Sequence, residues 1–267
     1  MSSDSLAFWN SQLQSAITVP DYESWPERYR ALSQEAARFG APERIALGED
    51  DMQALWRLPT GRPSHGFIFI HGGYWRAFTA ADFAFVAAAA HTADATFYNV
   101  DYRLMPGSRM ADVVADTTNA VVRAMEDVEH AIIVGHSAGG HLAAEAALRV
   151  PQAPAACVAI SGLFELAPLV QSFIQEEIAL TEEEVTQFSP QDRAAEFRCP
   201  VHLVTGGDET VEFKRQSARL YDTIAGLGIR ATLHFEPGCT HTAVVAELAS
   251  EKSALTRRVA ALFDPST

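Results

Sequence analysis

Residues 131–139 read Ala-Ile-Ile-Val-Gly-His-Ser-Ala-Gly, a short apolar run that leads directly into a Gly-x-Ser-x-Gly pentapeptide. Residues 140–148, which follow, are rich in alanine and leucine and favour a helix. An apolar β-branched strand, a tight glycine turn and a helix in this order place a serine at the turn. The pattern predicts that Ser137 is a nucleophile and that the NH group of Ala138, at the helix N-terminus, binds an oxyanion.

A second glycine turn lies upstream, where residues 67–75 read Phe-Ile-Phe-Ile-His-Gly-Gly-Tyr-Trp. Gly72 and Gly73 allow the backbone to approach a substrate oxygen closely, so we expect their NH groups to complete the oxyanion hole with Ala138. Tyr74 and Trp75 are predicted to bind substrate as a wall for an aromatic ring, or alternatively to anchor the loop.

The acid of a catalytic triad is expected after a later strand. Residues 201–205 form a strand-like run that ends in Gly-Gly-Asp-Glu, and we predict Asp208 as the acid. The alternatives are that Asp208 caps the helix from Val211, or that Glu209 or Glu212 is the acid.

The base is expected last in the chain, and His241 follows the final strand-like run at 231–236. We predict that His241 takes the proton of Ser137 and that Asp208 orients the imidazole. The remaining histidines of these segments are interpreted as structural: His71, His136, His141, His202 and His234.

Strand-like and helix-like segments alternate along most of the chain, which predicts an α/β fold with helices on both faces of a mostly parallel sheet. Two early strands are expected within 44–58, and six more near 66–70, 95–100, 131–134, 155–160, 200–205 and 230–235. We predict one domain over residues 1–267, with a helical N-terminal extension over 1–40.

A Glu-rich insertion at 163–197 interrupts this alternation and is predicted to be a small cap over the site. Its apolar residues could line that lid, although packing against the sheet is the more economical interpretation for most of them. They are Phe164, Leu166, Leu169, Phe173 and Ile174.

Several motifs together resemble the kynurenine formamidase (arylformamidase) group of α/β-hydrolases. They are His71-Gly72-Gly73-Tyr74-Trp75, residues 135–143, residues 161–169, Ser189-Pro190, residues 212–217 and Val19-Pro20-Asp21-Tyr22. The resemblance implies the α/β-hydrolase fold with an eight-stranded sheet, a triad of Ser137, Asp208 and His241, and an oxyanion hole that includes Gly72 and Gly73. It also implies hydrolysis of an N-formyl arylamine such as N-formylkynurenine through an acyl-enzyme.

Residues 101–106, Asp-Tyr-Arg-Leu-Met-Pro, are similar to the hormone-sensitive-lipase type of carboxylesterase. That type has a third glycine where this chain has Tyr74, which favours the formamidase branch. A carboxylesterase for small acyl groups is therefore the alternative function, and a non-catalytic ligand-binding hydrolase fold is a third.

Composition limits the partners. The 267 residues are 48% hydrophobic and 20% charged, and the net charge of −14 argues against nucleic acid. An anionic substrate would need local arginines such as Arg76 or Arg103. We find no metal-binding motif and predict a small-molecule substrate, no cofactor and no metal.

Location is inferred from the cysteines and from the absence of a leader. The three cysteines cannot all pair, and no leader or membrane-spanning run is apparent, so we expect a cytoplasmic protein that does not bind membranes. The sequence leaves a homodimer open.

Overall fold

The computed structural model describes residues 3–263, which form an eight-stranded sheet flanked by helices on both faces. The spatial order of the strands is β1-β2-β4-β3-β5-β6-β7-β8. The strands are β1 Glu43–Ala46, β2 Ala54–Leu58, β3 Arg62–Ile70, β4 Ala95–Val100, β5 His130–His136, β6 Ala156–Ile160, β7 Val201–Gly206 and β8 Ala231–Glu236. The predicted fold class is confirmed, and residues 1, 2 and 264–267 of the predicted domain lie outside the described residues.

Only β2 runs against its neighbours, pairing antiparallel with both β1 and β4, and every other pair is parallel. The central strands are buried on both faces, which is why the apolar run in β5 is continuous rather than alternating. Because the strands from β3 to β8 are parallel, the loops after β3, β5, β7 and β8 emerge at one edge of the sheet.

Ten α-helices are described. They are α1 Ser3–Leu13, α2 Trp25–Glu35, α3 Ala87–Thr92, α4 Met110–Glu126, α5 Ala138–Arg149, α6 Gln175–Ile178, α7 Glu182–Gln187, α8 Val211–Gly226, α9 His241–Ala246 and α10 Ala254–Ala260. Helices α4, α5 and α8 pack their apolar residues on one face of the sheet, and α2, α3, α9 and α10 cover the other. The alanine-rich stretch from Ala80 begins as the 3-10 segment Ala80–Val86, in which Phe83 leaves helical geometry, and continues as α3.

The N-terminal extension predicted over 1–40 is described from residue 3. It contains α1, two 3-10 turns at Ser15–Ile17 and Tyr22–Ser24, and α2, whose first turn holds Pro26. Proline is tolerated there because the NH group it removes has no partner within the helix.

The insertion at 163–197 packs on the sheet as part of the core. Leu163, Phe164, Leu166, Leu169 and Ile174 are fully buried among residues of the α4, α5 and α8 face. Within the described range 3–263, no helix has both the length and the apolar character needed to cross a membrane.

Candidate active site

Ser137 lies in a strained turn between β5 and α5. Its backbone has φ 57° and ψ −122°, an unfavourable conformation for a residue with a side chain. The NH group of Ser137 donates to Ile160 O at 2.8 Å, and Ser137 O accepts from the NH groups of Gly140 and His141 at 2.8 and 3.1 Å. These bonds hold the turn in place, as the Gly-x-Ser-x-Gly motif predicts.

The glycines of the motif are required by close backbone approach. A Cβ atom on Gly135 would lie 2.0 Å from Gly139 O, and one on Gly139 would lie 2.1 Å from Ile70 O. Side chains at these positions would push the elbow away from the neighbouring strand, so glycine is needed for the strand, turn and helix to pack.

His241, the first residue of α9, reaches Ser137 from the end of the loop that follows β8. Ser137 Oγ donates to His241 Nε2 at 2.9 Å, and the imidazole packs against Phe213 with ring centroids 4.4 Å apart. Both side chains are buried. The structure thus brings together the predicted nucleophile and the predicted base, although they are 104 residues apart in sequence.

The carboxylate beside His241 belongs to Glu209. His241 Nδ1 donates to Glu209 Oε2 at 2.7 Å, which leaves Nε2 free to accept from the serine. The other oxygen, Oε1, accepts from Ser161 Oγ at 2.5 Å and from the NH group of Gly206 at 2.7 Å. The Glu209 side chain is fully buried, so these three donors replace the water that its charge would otherwise require.

The Asp208 side chain does not contact His241. The prediction that Asp208 supplies the carboxylate beside this histidine is therefore wrong. The Asp208 side chain is exposed, and only its NH group approaches the histidine loop, donating to Cys239 O at 3.1 Å. Glu209 N donates to Gly206 O at 3.3 Å, and this tight turn directs residue 209 inward and residue 208 outward. Asp208 is not the helix cap either, because Thr210 occupies that position. The other rival, Glu212, pairs with Arg215 at 2.7 Å.

The expected oxyanion donors surround Ser137. Gly72 and Gly73 line the same cavity as Ser137, and Ala138 begins α5 directly after it. Among the described residues, the NH groups of Gly72, Gly73 and Ala138 donate to no backbone or side-chain acceptor. They are therefore free to bind a substrate oxygen, and the positive end of α5 adds to their effect.

Three further histidines support the site without sharing its chemistry. His71 stacks on Tyr102 with ring centroids 4.4 Å apart, and its Nδ1 donates to Gly72 O at 2.8 Å, which braces the glycine loop. His136 Nε2 donates to His241 O at 2.9 Å, and burial followed by the nearby His241 lowers the pKa of His136 well below its ordinary range. Burial also lowers the pKa of His141 to about 4. Burial lowers the pKa of His71 as well, so all three imidazoles are neutral near pH 7.

Tyr74 and Trp75 have different places in the structure. Tyr74 lines the cavity, and its hydroxyl donates to Leu13 O. Trp75 is fully buried in the core, and its Nε1 donates to His141 Nδ1 at 3.2 Å. The prediction of Trp75 as a cavity wall is therefore corrected: Trp75 anchors the loop, and only Tyr74 faces the cavity.

The cavity at Ser137 has a volume of about 140 Å³. Its floor is formed by Gly72, Gly73, His136, Ser137, His241 and Thr242. Much of the remaining lining of the cavity is aromatic and comes from Tyr22, Trp25, Tyr29, Tyr74, Phe78 and Phe83. An apolar cavity of this size holds about one aromatic ring.

The cover of this cavity comes from the N-terminal extension, not from the insertion. Ser15, Tyr22, Glu23, Trp25, Pro26 and Tyr29 line the cavity, and no residue of 163–197 does. We call residues 12–29 the cover segment. The prediction of a cap at 163–197 is thus corrected, because Phe164, Leu166, Leu169 and Ile174 are buried in the core. Phe173 is half-buried and packs its ring against Tyr74, with centroids 5.9 Å apart, but it does not line the cavity.

Three loops at the site each hold the cover segment by a hydrogen bond. Tyr74 Oη of the glycine loop donates to Leu13 O, and Thr210 Oγ1, next to Glu209, donates to Gln12 O at 2.6 Å. Tyr29 Oη donates to Thr242 O at 2.9 Å, next to His241. The position of the cover segment is therefore fixed by the same loops that carry the reactive side chains.

A larger cavity of about 520 Å³ lies elsewhere, between Ala36, Trp56, Leu58, Phe97 and Asn99. Its lining includes Ser33 but no histidine, lysine or carboxylate that could activate this serine, so the smaller cavity is the candidate active site. Across residues 3–263, no three His, Cys, Asp or Glu side chains are grouped so as to hold a metal ion.

The chain belongs to the alpha/beta hydrolase fold family, whose model matches residues 67–245. It is accordingly an enzyme of the hydrolase class. A kynurenine formamidase from Danio rerio is 25% identical over 205 residues, which cover 71% of this chain and 70% of the relative.

Solved structures agree with this family. A candidate thioesterase from Silicibacter sp. TM1040 superposes with a TM-score of 0.81 at 25% identity, covering 95% of this chain and 97% of that one. A hormone-sensitive lipase from a metagenome library gives a TM-score of 0.68 at 18% identity, with coverage of 95% and 96%. The second likeness establishes the fold, and both resemblances inferred from the sequence are confirmed at the level of the family.

Proposed function

We propose that this protein is a serine hydrolase that cleaves the amide of an N-formyl arylamine, with Ser137, His241 and Glu209 as its triad. One observation carries the proposal: Ser137 Oγ, His241 and Glu209 form a continuous hydrogen-bonded chain, with contacts of 2.9 and 2.7 Å, at the base of an aromatic cavity. The similarity to kynurenine formamidases supports the choice of substrate.

In the proposed reaction, Ser137 Oγ attacks the formyl carbon while His241 Nε2 takes the hydroxyl proton. The carbonyl oxygen becomes an oxyanion, which the NH groups of Gly72, Gly73 and Ala138 stabilise. When this intermediate collapses, the C–N bond breaks, His241 gives the proton to the nitrogen, and the arylamine leaves.

The remaining formyl ester on Ser137 is attacked by water, and His241 takes one proton of that water and returns it to Ser137 Oγ as formic acid departs and then ionises to formate in solution. Glu209 stays ionised and stabilises the imidazolium in both halves of the reaction. The reaction uses no metal ion.

The size of the cavity favours a small acyl group and one aromatic ring. At about 140 Å³ the cavity has room for a single ring beside the reacting carbonyl. A formamide carries only hydrogen on its acyl side, so the aromatic leaving group can occupy most of this space. Tyr29, Tyr74 and Phe83 offer faces and edges for that ring.

A carboxylesterase for small acyl groups is the second candidate, because the same triad and cavity would accept an aryl acetate. The test compares kcat/KM for N-formylkynurenine, formanilide and p-nitrophenyl acetate, with Ser137→Ala as the control for each. Preference for the two formamides supports the proposal. Turnover of the acetate alone assigns the esterase function.

A binding function without catalysis is the least economical alternative, because it has no use for a complete triad. If the wild-type protein and Ser137→Ala were equally inactive on all three compounds while the wild type still bound them, that function would replace the proposed one.

A further inference from the structure

Glu23 is the one carboxylate outside the triad that lines the cavity in the described structure. It lies in the 3-10 turn Tyr22–Ser24 of the cover segment, and its side chain is exposed. Within residues 3–263, Glu23 forms no ion pair, and neither lysine nor arginine lines the cavity. Glu23 therefore gives the mouth of the site a negative charge that no ion pair of the described residues neutralises, although the guanidinium of Arg28 lies 5.1 Å from the centroid of the nearby Trp25 ring.

The volume of the cavity determines what reaches Glu23. About 140 Å³ accommodates one aromatic ring, so a substituent on the far side of that ring must extend to the mouth. Tyr22, which is 41% exposed, stands at the mouth with Glu23. The half-buried ring of Trp25 lines the adjacent wall.

Aromatic rings beside a carboxylate form a favourable environment for a cation. The ring faces attract an ammonium group through their quadrupoles, and the carboxylate attracts it by charge. The same arrangement is unfavourable for a carboxylate, which would meet the negative charge of Glu23 and the negative ring faces.

Arg28, which lies on the Trp25 ring, pairs with Asp21 at 3.6 Å and does not line the cavity, and the two arginines suggested by the sequence are engaged elsewhere. Arg76 pairs with Glu177 at 2.8 Å, and Arg103 pairs with Asp116 at 2.7 Å. Neither lines the cavity. The net charge of −14 adds a general field of the same sign as Glu23.

We propose that Glu23 binds an ammonium group carried by the leaving group of the substrate, and that the site selects against a carboxylate at the same place. The inference rests on the proposed function only in its assumption that the cleaved bond is an amide. The charge preference itself applies equally to an amide or an ester, so it can be tested separately.

The test uses formanilides with a single charge, because N-formylkynurenine carries both an ammonium and a carboxylate. The probes are 4-(aminomethyl)formanilide, which is cationic near pH 7, and 4-formamidobenzoate, which is anionic. The measured quantity is the ratio of their kcat/KM values in the wild type, in Glu23→Gln and in Glu27→Gln. Glu27 is an exposed carboxylate in the first turn of α2 that does not line the cavity, so its variant is the matched control.

We expect Glu23→Gln to lower the cation-to-anion ratio about fivefold, with a smaller effect at high salt, and Glu27→Gln to leave it unchanged. Substituent effects on leaving-group reactivity cancel, because each ratio is compared with the wild-type ratio. An unchanged ratio in Glu23→Gln would overturn the inference. So would an equal fall in both variants, because the preference would then come from the general field.

The corresponding pair of phenyl acetates, with the same two substituents, separates this inference from the proposed function. If only the acetates react and their ratio depends on Glu23, the formamidase proposal fails and the role of Glu23 stands. If the formamides react without any dependence on Glu23, the role of Glu23 fails and the formamidase proposal stands.

Discussion

Tyr29 Oη donates a hydrogen bond of 2.9 Å to the carbonyl oxygen of Thr242, the residue that follows His241. The Tyr29 ring is buried against Phe83 and Phe85, with centroid distances of 5.0 and 5.6 Å, and it also lines the active-site cavity. One side chain thus joins the cover segment, the aromatic core beneath it and the loop that carries the proposed base.

We expect Tyr29→Phe to keep the ring packing but leave Thr242 O without its donor. The loss should lower the free energy of unfolding by about 1 kcal/mol and kcat/KM by a few fold. Thermal unfolding and steady-state kinetics measure the two effects. Tyr221→Phe on α8, outside the cavity, is the control. A Tyr29→Phe enzyme with unchanged kinetics would show that this bond does not position the histidine loop.

Because Asp208 and Glu209 are neighbours, paired substitutions test directly which of the two carboxylates is the triad acid. Glu209→Gln should reduce kcat by on the order of 10³- to 10⁴-fold, because the amide cannot stabilise the imidazolium and disturbs its tautomer. Asp208→Asn should leave kcat nearly unchanged, since the Asp208 side chain is exposed and does not contact His241. The reverse pattern would return the role of the acid to Asp208.

Ser161 is predicted to be a positioning residue. Its Oγ donates to Glu209 Oε1, so Ser161→Ala removes one of three donors to a buried carboxylate. We expect kcat to fall about tenfold with little change in KM, since the acid is displaced while the substrate contacts remain. Ser161→Cys adds no branch at Cβ, which suits the backbone φ of 50° at this buried position, and its weaker S–H donor should recover part of the loss. A fall confined to KM would place Ser161 in substrate binding instead.

Glu145 on α5 predicts how the free energy of unfolding depends on pH. Its side chain is fully buried, and burial raises its pKa to about 7 against the opposing attraction of Arg149 and Arg193. The folded protein therefore binds a proton more tightly than the unfolded chain between about pH 4.5 and 7. The stability contributed by the protonated form is complete below that range and is lost as the pH rises through 7.

Urea unfolding of the wild type and Glu145→Gln at pH 5 and pH 8 tests this sign. Glutamine mimics the protonated acid, so the variant should become more stable relative to the wild type at pH 8, by about 3 kcal/mol at most. Glu126→Gln, at an exposed position on α4, should show no such change. If the variant gained more stability over the wild type at pH 5 than at pH 8, the raised pKa of Glu145 would be contradicted.

The strands and the two glycine motifs were predictable because their signals are local. The apolar run at 131–134 and Gly135 reflect contacts within one strand, turn and helix, and Gly139 belongs to the same short motif although its closest contact is with Ile70 O of β3. His241 was also predictable, because the base is expected last in the order of the reactive residues and directly after the final strand, β8.

The carboxylate and the cover segment depend on information that is not local. Asp208 and Glu209 are adjacent and both acidic, and only the geometry of the turn from Gly206 decides which one faces His241. The place of Trp75 follows from a hydrogen bond to His141, 66 residues away. The rings at 22, 25 and 29 are spaced like one face of a helix, but no pattern within them shows that they reach Ser137.

The three hydrogen bonds that hold the cover segment join residues 61, 198 and 213 positions apart in the sequence. Contacts of such long sequence separation carry a large loop-closure entropy, so they form late, after the strands and helices between their partners have assembled. The cavity at Ser137 therefore becomes enclosed only near the end of folding. During refolding, activity should return after most of the secondary structure.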